Sequence, residues 1–211
     1  MKHIQFTTKS SLVLLLILFL TKGWTQENTS LKMDIESYSA NMKAFVAKEP
    51  CDWKKNDSMA QRYRTFVSTT LDKYGYPGSN LVGEETAGKF YGLITLPYIQ
   101  SDLQKKGLEL MKVRVEKKEL NAESFARLAD RISFNESGKQ IYGTMVNMEC
   151  ATCKEEERKL KITPIAQPDK VDELRKSIGL SPMQDYLNML TTAFKKIPVK
   201  SVIVQNPCKG N

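Results

Sequence analysis

Apolar side chains recur at intervals of three and four residues in several successive segments of this chain, the spacing typical of amphipathic helices. The first two patterns cover Leu31–Glu49, which Pro50 follows, and Asp57–Tyr74, which Gly75 and Pro77 follow. Proline cannot continue a helix and glycine commonly follows its last turn, so each pattern ends at its own stop signal. The sequence therefore predicts a mainly helical protein.

Two more helices are predicted in the middle of the chain. After a turn-rich connection over Gly75–Gly83, a third helix begins at Glu84 and must break or kink at Pro97. A fourth begins at Ser101, which forms a Ser-x-x-Gln capping box with Gln104.

Three further helices follow in the second half. Asn121 can cap a fifth helix, and a sixth covers Asp169–Ile178 and ends at Gly179. Ser181 is the predicted cap of the last helix, with Gln184 three residues later.

Between the fifth and sixth helices the apolar pattern changes to the alternation typical of strands. Gln140–Met148 is predicted to form one strand, Leu160–Ile162 its partner, and Val199–Val204 a further edge strand. The fold class is thus mainly α (α+β), with about seven helices and a small β-hairpin. One domain is expected over residues 26–205, followed by a tail at 206–211.

The first 25 residues have the features of an export signal. Lys2 and Lys9 precede the unbroken apolar run Leu12–Leu20, and Gly23 and Thr25 place small residues before a cleavage site. Nine apolar residues are too few for a permanent membrane helix, which needs about 20. We expect a periplasmic or secreted protein without a stable membrane span once the signal is removed; an uncleaved anchor is the alternative.

Removal of this segment changes the charge and the catalytic options. The whole chain carries +8, but the mature chain would carry +5, with its basic residues interleaved with acids, so nucleic acid is not an expected partner. The only histidine, His3, leaves with the signal. This excludes Ser-His-Asp and Cys-His catalysis and His-ligated zinc, and we expect no metal and no cofactor.

Four cysteines remain in the exported chain: Cys51, Cys150, Cys153 and Cys208. An even number in an oxidising compartment implies two disulfides. We expect the pairs Cys150–Cys153 and Cys51–Cys208, among three connectivities. A redox role for the C-x-x-C pair is the alternative, although no βαβ unit accompanies it.

A series of short motifs runs through the chain from Gly75 onward: Gly75-Tyr-Pro, Val82-Gly-Glu84, Leu128-Ala-Asp-Arg-Ile132, Gly138-Lys-Gln-Ile-Tyr-Gly-Thr144, Pro164-Ile165, Arg175, Ile178-Gly-Leu180 and Tyr186. Their order resembles a bacterial family known as domain of unknown function 6624, over about residues 60–190. The resemblance implies domain limits and marks residues without implying a reaction. The chain departs from the family pattern at Leu96-Pro97, where the family places Gln-His, and at Met145, where it has Gln. If the family is catalytic through that histidine, this member has lost the activity.

The polar motif residues are candidates for a binding pocket. Asp130 and Arg131 point about 100° apart on one helix, so they are not expected to pair with each other. In the functional interpretation Arg131 or Arg175 holds an anionic group in a pocket, with the other binding candidates Gln140, Tyr142 and Thr144. In the structural interpretation, which we favour, these groups form a buried network that joins the hairpin to the helices.

Three functions are compatible with these features. The first is an exported binding or interaction module whose partner is a cell-envelope ligand or a protein. The second is a hydrolase of an envelope glycan or peptide that uses Glu84 or Glu85 with Asp130 as acid and base. The third is a thiol oxidoreductase. Because no complete catalytic constellation is present, we favour binding over catalysis.

Overall fold

The computed structural model of the chain describes residues 27–48, 57–149, 154 and 159–195. In these residues it contains eight α-helices: α1 (Thr29–Lys48), α2 (Asp57–Tyr74), α3 (Ser79–Val82), α4 (Glu84–Ile94), α5 (Ser101–Glu116), α6 (Ala122–Ser137), α7 (Val171–Ser177) and α8 (Met183–Lys195). Two short strands, β1 (Val146–Glu149) and β2 (Lys159–Ile162), pair antiparallel, with Val146 opposite Ile162. The predicted class, mainly α with a small hairpin, is confirmed.

The main core lies between the first six helices. α1 packs on α4, and α5 packs on α6 and α2. Phe90 of α4 is at its centre, fully buried and in edge-to-face contact with Tyr76 at 5.3 Å between ring centroids. Gly107 brings α5 close to α4, since a Cβ at this position would overlap Ile94 Cδ1.

A second, smaller cluster joins α7, α8 and the hairpin. Val171, Met183 and Tyr186 are its buried members, and Val146 and Ile165 pack against them. Tyr142 and Ile178 pack against the main core, so the loop after α6 and the turn after α7 join the two clusters.

The predicted capping box at Ser101 is wrong. Gln100 occupies the cap position of α5, and the Gln104 side chain is buried and donates from Nε2 to the carbonyl of Ile94 at 3.1 Å. The last carbonyls of a helix have no partner within it. Gln104 therefore satisfies the end of α4 instead of the start of its own helix.

The first predicted strand also differs, because it begins at Val146 and not at Gln140. Gln140 forms only an isolated bridge with Ile165. The backbone N–H groups of Ile141, Tyr142 and Thr144 bond to the Asp130 side chain of α6, so they cannot join a strand ladder.

Smaller differences concern helix ends. The predicted turn before α4 contains the single helical turn α3, and the sixth predicted helix begins as a 3₁₀ turn over Pro168–Lys170 before α7. The N–H of Met183 donates to Asp172 Oδ1 at 2.6 Å, so α7 supplies a cap for α8 where Ser181 is the predicted one. Asn121 caps α6 as predicted, accepting from Glu123 N at 2.7 Å.

Several predictions fall outside the described residues. These are the export signal, all four cysteines, the strand over Val199–Val204 and the tail. Among the helices that are described, none combines the length and the apolar character that crossing a membrane requires.

Candidate functional site

Asp130 of α6 is completely buried and binds the loop that follows the helix. Its Oδ1 accepts the backbone N–H groups of Ile141 and Tyr142 at 2.7 and 2.6 Å. Its Oδ2 accepts both the N–H and the hydroxyl of Thr144 at 2.7 Å. Four short hydrogen bonds to one carboxylate compensate for its removal from water.

Gln140 holds the same loop from within. Its Nε2 donates to the carbonyls of Met145 at 3.1 Å and Thr163 at 2.7 Å, and its Oε1 accepts from Met145 N at 2.7 Å. The side chain is completely buried. The Gln140–Met145 loop is therefore closed by its own first side chain.

Arg175 of α7 approaches this loop from the other side and is 2% exposed. Its guanidinium donates to the carbonyl of Tyr142 at 2.8 Å and to that of Ser181 at 2.6 Å. It also lies 4.8 Å from the ring centroid of Tyr186, a cation–π contact. Burial lowers the pKa of Arg175, but arginine stays charged at any physiological pH.

Most of the polar motif residues have a structural role in these contacts. Asp130, Gln140, Thr144 and Arg175 are buried; Gln140 and Arg175 donate to backbone carbonyls, and Asp130 accepts backbone N–H groups and the Thr144 hydroxyl. Asp130 and Arg175 form no ion pair with each other among the described contacts; they are joined through the peptide groups of Tyr142. The network thus connects the hairpin region to the helices.

A cleft of about 1020 Å³ lies beside this network. Its walls are the start of α4, the end of α5 with the connection to α6, the start of α6, and the turn Ser177–Leu180 after α7. Its volume is at the upper end of the ~300–1,000 Å³ typical of small-molecule sites.

Tyr142 connects the buried network to the cleft. Its backbone is fixed by Asp130 and Arg175, while its half-buried side chain lines the cleft and meets the Phe125 ring edge-on at 6.1 Å between centroids. Burial, and to a lesser degree the charge of Asp130, raises the pKa of the Tyr142 phenol. The phenol is therefore a neutral hydrogen-bonding group at neutral pH.

Arg175 also shapes a second wall of the cleft. Its own carbonyl accepts the N–H groups of Ile178 at 3.2 Å and Leu180 at 2.9 Å, which closes the turn that ends α7. Gly179 in this turn has φ +83°, a conformation that favours glycine. One residue thus positions both Tyr142 and the Ser177–Leu180 turn.

The two predicted glutamates have different surroundings. Glu84 is exposed and lines the cleft. Glu85 is also exposed but does not line the cleft. It forms an ion pair with Lys89 at 2.9 Å, and the hydrogen bond and positive charge of Lys89 lower the pKa of Glu85. Of the three carboxylates considered for acid–base work, only Glu84 lies among the cleft residues that the structure describes.

Arg131 is separate from the network. It is half-buried and has no hydrogen bond or ion pair with any residue the structure describes. Its charge, with that of Arg127, partly opposes the rise that burial causes in the pKa of Tyr91. Arg131 therefore lies near Tyr91 of α4.

Several cleft residues were not predicted as site residues. Lys118 is one, and its φ of +59° is uncommon for a residue other than glycine. Phe125 is another, although its apolar stripe is evident in the sequence; nothing there indicates that its edge reaches a cleft. Ile178–Leu180 belongs to a motif of the family resemblance, but nothing else in the sequence indicates that it lines a cleft.

No group of three or more metal-ligating side chains is found in the described parts of the chain.

A comparison with curated proteins and with solved structures gives no match. A family model described as a family of unknown function, DUF6624, matches residues 59–200, the region that holds the Gln140–Met145 loop, its two anchors and the cleft. Because this match covers more than half of the chain, the protein belongs to DUF6624.

Proposed function

We propose that this protein is an exported binding protein that holds a small ligand in the cleft. The observation that carries the proposal is a convergence of segments far apart in the sequence. Glu84, Tyr142 and the turn Ile178–Leu180 each belong to a separate motif, and all of them line the cleft. The cleft has the volume of a small-molecule site, and both apolar and polar side chains line it.

The surroundings of Asp130 favour binding over carboxylate catalysis. A general acid or base must reach the substrate and exchange a proton with it. Asp130 has no exposed surface, and both of its oxygens accept two hydrogen bonds from the loop. Its carboxylate is therefore better suited to hold Tyr142 in place than to work with Glu84.

The cleft can be blocked at a position where a larger side chain fits the fold. Gly88 lies on the exposed side of α4 and lines the cleft, and a Cβ there meets no atom within 4 Å. Gly92, one turn later on α4, is equally exposed and unobstructed but does not belong to the cleft lining. Gly88→Met and Gly92→Met are therefore a matched pair.

The test is affinity selection followed by mass spectrometry on the purified full mature chain. The probes are random tripeptides, chito-oligosaccharides and short-chain phospholipids. We expect the wild type and Gly92→Met to retain at least one class of probe. Gly88→Met should bind that class at least about tenfold more weakly. Equal retention by both variants, or no retention by the wild type, would contradict a binding function of the cleft. Turnover of a probe that Glu84→Gln abolishes would favour a hydrolase instead.

Export and the two disulfides are part of the same proposal. They rest on the apolar run at the N-terminus and on the even number of cysteines. The intact mass of exported protein should correspond to a chain beginning at Gln26, and peptide mapping should give Cys150–Cys153 and Cys51–Cys208. A C-x-x-C potential below about −300 mV indicates a structural bridge, whereas a value near −120 to −180 mV would support the oxidoreductase alternative.

A further inference from the structure

The charged groups around the cleft are of both signs and balance one another. Lys112 and Lys118 supply two positive charges, and Glu84 and Glu116 supply two negative charges. All four side chains are exposed, and none forms an ion pair with another residue that the structure describes. A fifth charged residue, Glu119, is neutralised by Arg114, whose guanidinium lies 2.6 Å from its carboxylate. Four charges thus remain available to a ligand.

Several aliphatic side chains line the cleft. Val115, Leu120, Ile178 and Leu180 are half-buried there, and Ala87 is almost completely buried. The aromatic contribution is smaller, because Phe125 is only 9% exposed and turns its ring toward Tyr142. An apolar group of a ligand can therefore displace water from these side chains.

This combination restricts the chemistry of the ligand. A polyanion such as a nucleic acid would need an excess of basic groups, which the cleft lacks. A neutral glycan would make no use of the four charges and would find little aromatic surface on which to stack. A short peptide with free termini offers an ammonium group, a carboxylate and apolar side chains within one small molecule.

On the basis of the proposed function, we infer that the ligand of the cleft is a short peptide with free termini and an apolar side chain. Its ammonium group is bound by Glu84 and Glu116, and its carboxylate by Lys112 and Lys118. The neutral phenol of Tyr142 hydrogen-bonds to the peptide backbone.

The test compares four pools of random tripeptides with the wild-type mature chain. The termini are free in one pool, acetylated at the amino end in the second, amidated at the carboxyl end in the third, and blocked at both ends in the fourth. We expect the free pool to bind at least about tenfold more tightly than the doubly blocked pool, a difference of about 1.4 kcal/mol. Equal binding of these two pools would overturn the inference.

Two variants assign the termini to their partners. Glu84→Gln should weaken binding of the pool with a free amino end and leave the acetylated pool unchanged. Lys118→Asn should weaken binding only of the pools with a free carboxyl end. Asparagine is chosen because it tolerates the positive φ of this position. Asp34→Asn, an exposed change on α1 outside the cleft lining, is the control and should alter no pool.

The outcomes separate this inference from the proposed function. If chito-oligosaccharides or phospholipids are retained, and Gly88→Met removes that retention while free peptides show none, the cleft is a binding site and the peptide assignment is wrong. If no probe shows retention that depends on Gly88, the proposed function fails and the peptide assignment fails with it.

Discussion

Asp130 and Arg175 hold opposite ends of one residue. The carboxylate of Asp130 accepts the N–H of Tyr142 at 2.6 Å, and the guanidinium of Arg175 donates to its carbonyl at 2.8 Å. The two charges come from helices α6 and α7, on either side of the hairpin in the sequence. Together they fix the backbone of the residue whose phenol lines the cleft, which leads to the first two predictions.

Asp130→Asn should lower the free energy of unfolding by about 2–4 kcal/mol. An amide nitrogen would face backbone N–H groups in place of an accepting oxygen, and a buried donor would lose its partner. The midpoint of urea unfolding measures the effect. The control Asp34→Asn, which is exposed on α1, should change stability by less than about 0.5 kcal/mol. A similar small change in Asp130→Asn would show that the carboxylate does not anchor the loop.

Arg175→Lys should cost about 2 kcal/mol, because one ammonium group cannot reproduce the planar guanidinium that reaches two carbonyls. It should also weaken ligand retention by the cleft, since the guanidinium holds the carbonyl of Tyr142 and that of Ser181, which follows the Ser177–Leu180 turn. Arg62→Lys on the exposed side of α2 is the matched control. If Arg175→Lys is measured under conditions where it is fully folded and still retains ligand as well as the wild type does, Arg175 does not position the cleft.

The same substitution should have opposite effects at two helical glycines. Gly92→Ala should stabilise the protein by about 0.5–1 kcal/mol, because its Cβ meets open space and alanine is the better helix former. Gly107→Ala should destabilise it by at least about 1 kcal/mol, since the Cβ would displace the completely buried Ile94 from a packed core. Thermal unfolding of both variants measures the contrast, and stabilisation by Gly107→Ala would refute the close approach of α5 to α4.

Tyr76→Phe should leave the free energy of unfolding unchanged or raise it by up to about 1 kcal/mol. The Tyr76 hydroxyl is completely buried and has no hydrogen-bonding partner among the described residues. Tyr63→Phe is the comparison, because the Tyr63 hydroxyl donates to the carbonyl of Tyr38 at 2.9 Å, and its loss should cost about 1 kcal/mol. A larger loss in Tyr76→Phe than in Tyr63→Phe would contradict this assignment.

Stability should fall at alkaline pH. Burial raises the pKa of six tyrosines above the ordinary value: Tyr63, Tyr76, Tyr91, Tyr98, Tyr142 and Tyr186. The unfolded chain releases these phenol protons at about pH 10, whereas the folded chain retains them, so deprotonation favours unfolding. Stability is thus fully present below about pH 9 and decreases above about pH 10. The midpoint of urea unfolding, measured across this pH range together with the phenolate absorbance, tests this prediction. A midpoint that does not change with pH would contradict it.

The helices were predictable because their signals are local. The stop signals at Gly75 and at Pro50, and the cap at Asn121, act within a few residues, and the observed helices α1, α2 and α6 begin or end close to them. The capping box at Ser101 was not predictable, because the competing partner of Gln104 is the end of α4, ten residues earlier in the chain. Sequence spacing alone does not show which orphan carbonyl lies nearest.

The same reasoning applies to the site. The motifs identified Asp130, Gln140, Tyr142, Thr144 and Arg175 as belonging together, but not which of them would be buried. Their residue types are compatible with ligand binding as well as with the structural network that the sequence favours. The choice depends on the distance from Asp130 to the N–H groups of the loop, and this distance exists only when α6 and the loop are in contact.

The sequence by itself determined the helical class, the approximate helix limits and, apart from Arg131, the polar residues that act together, because these follow from periodicity and from short-range chemistry. Tertiary structure decided that Gln140–Met145 is a loop and not a strand, because a buried carboxylate took the N–H groups that a strand would need. It also decided where the cleft lies, since Glu84, Lys118, Tyr142 and Leu180 come together only when the helices pack.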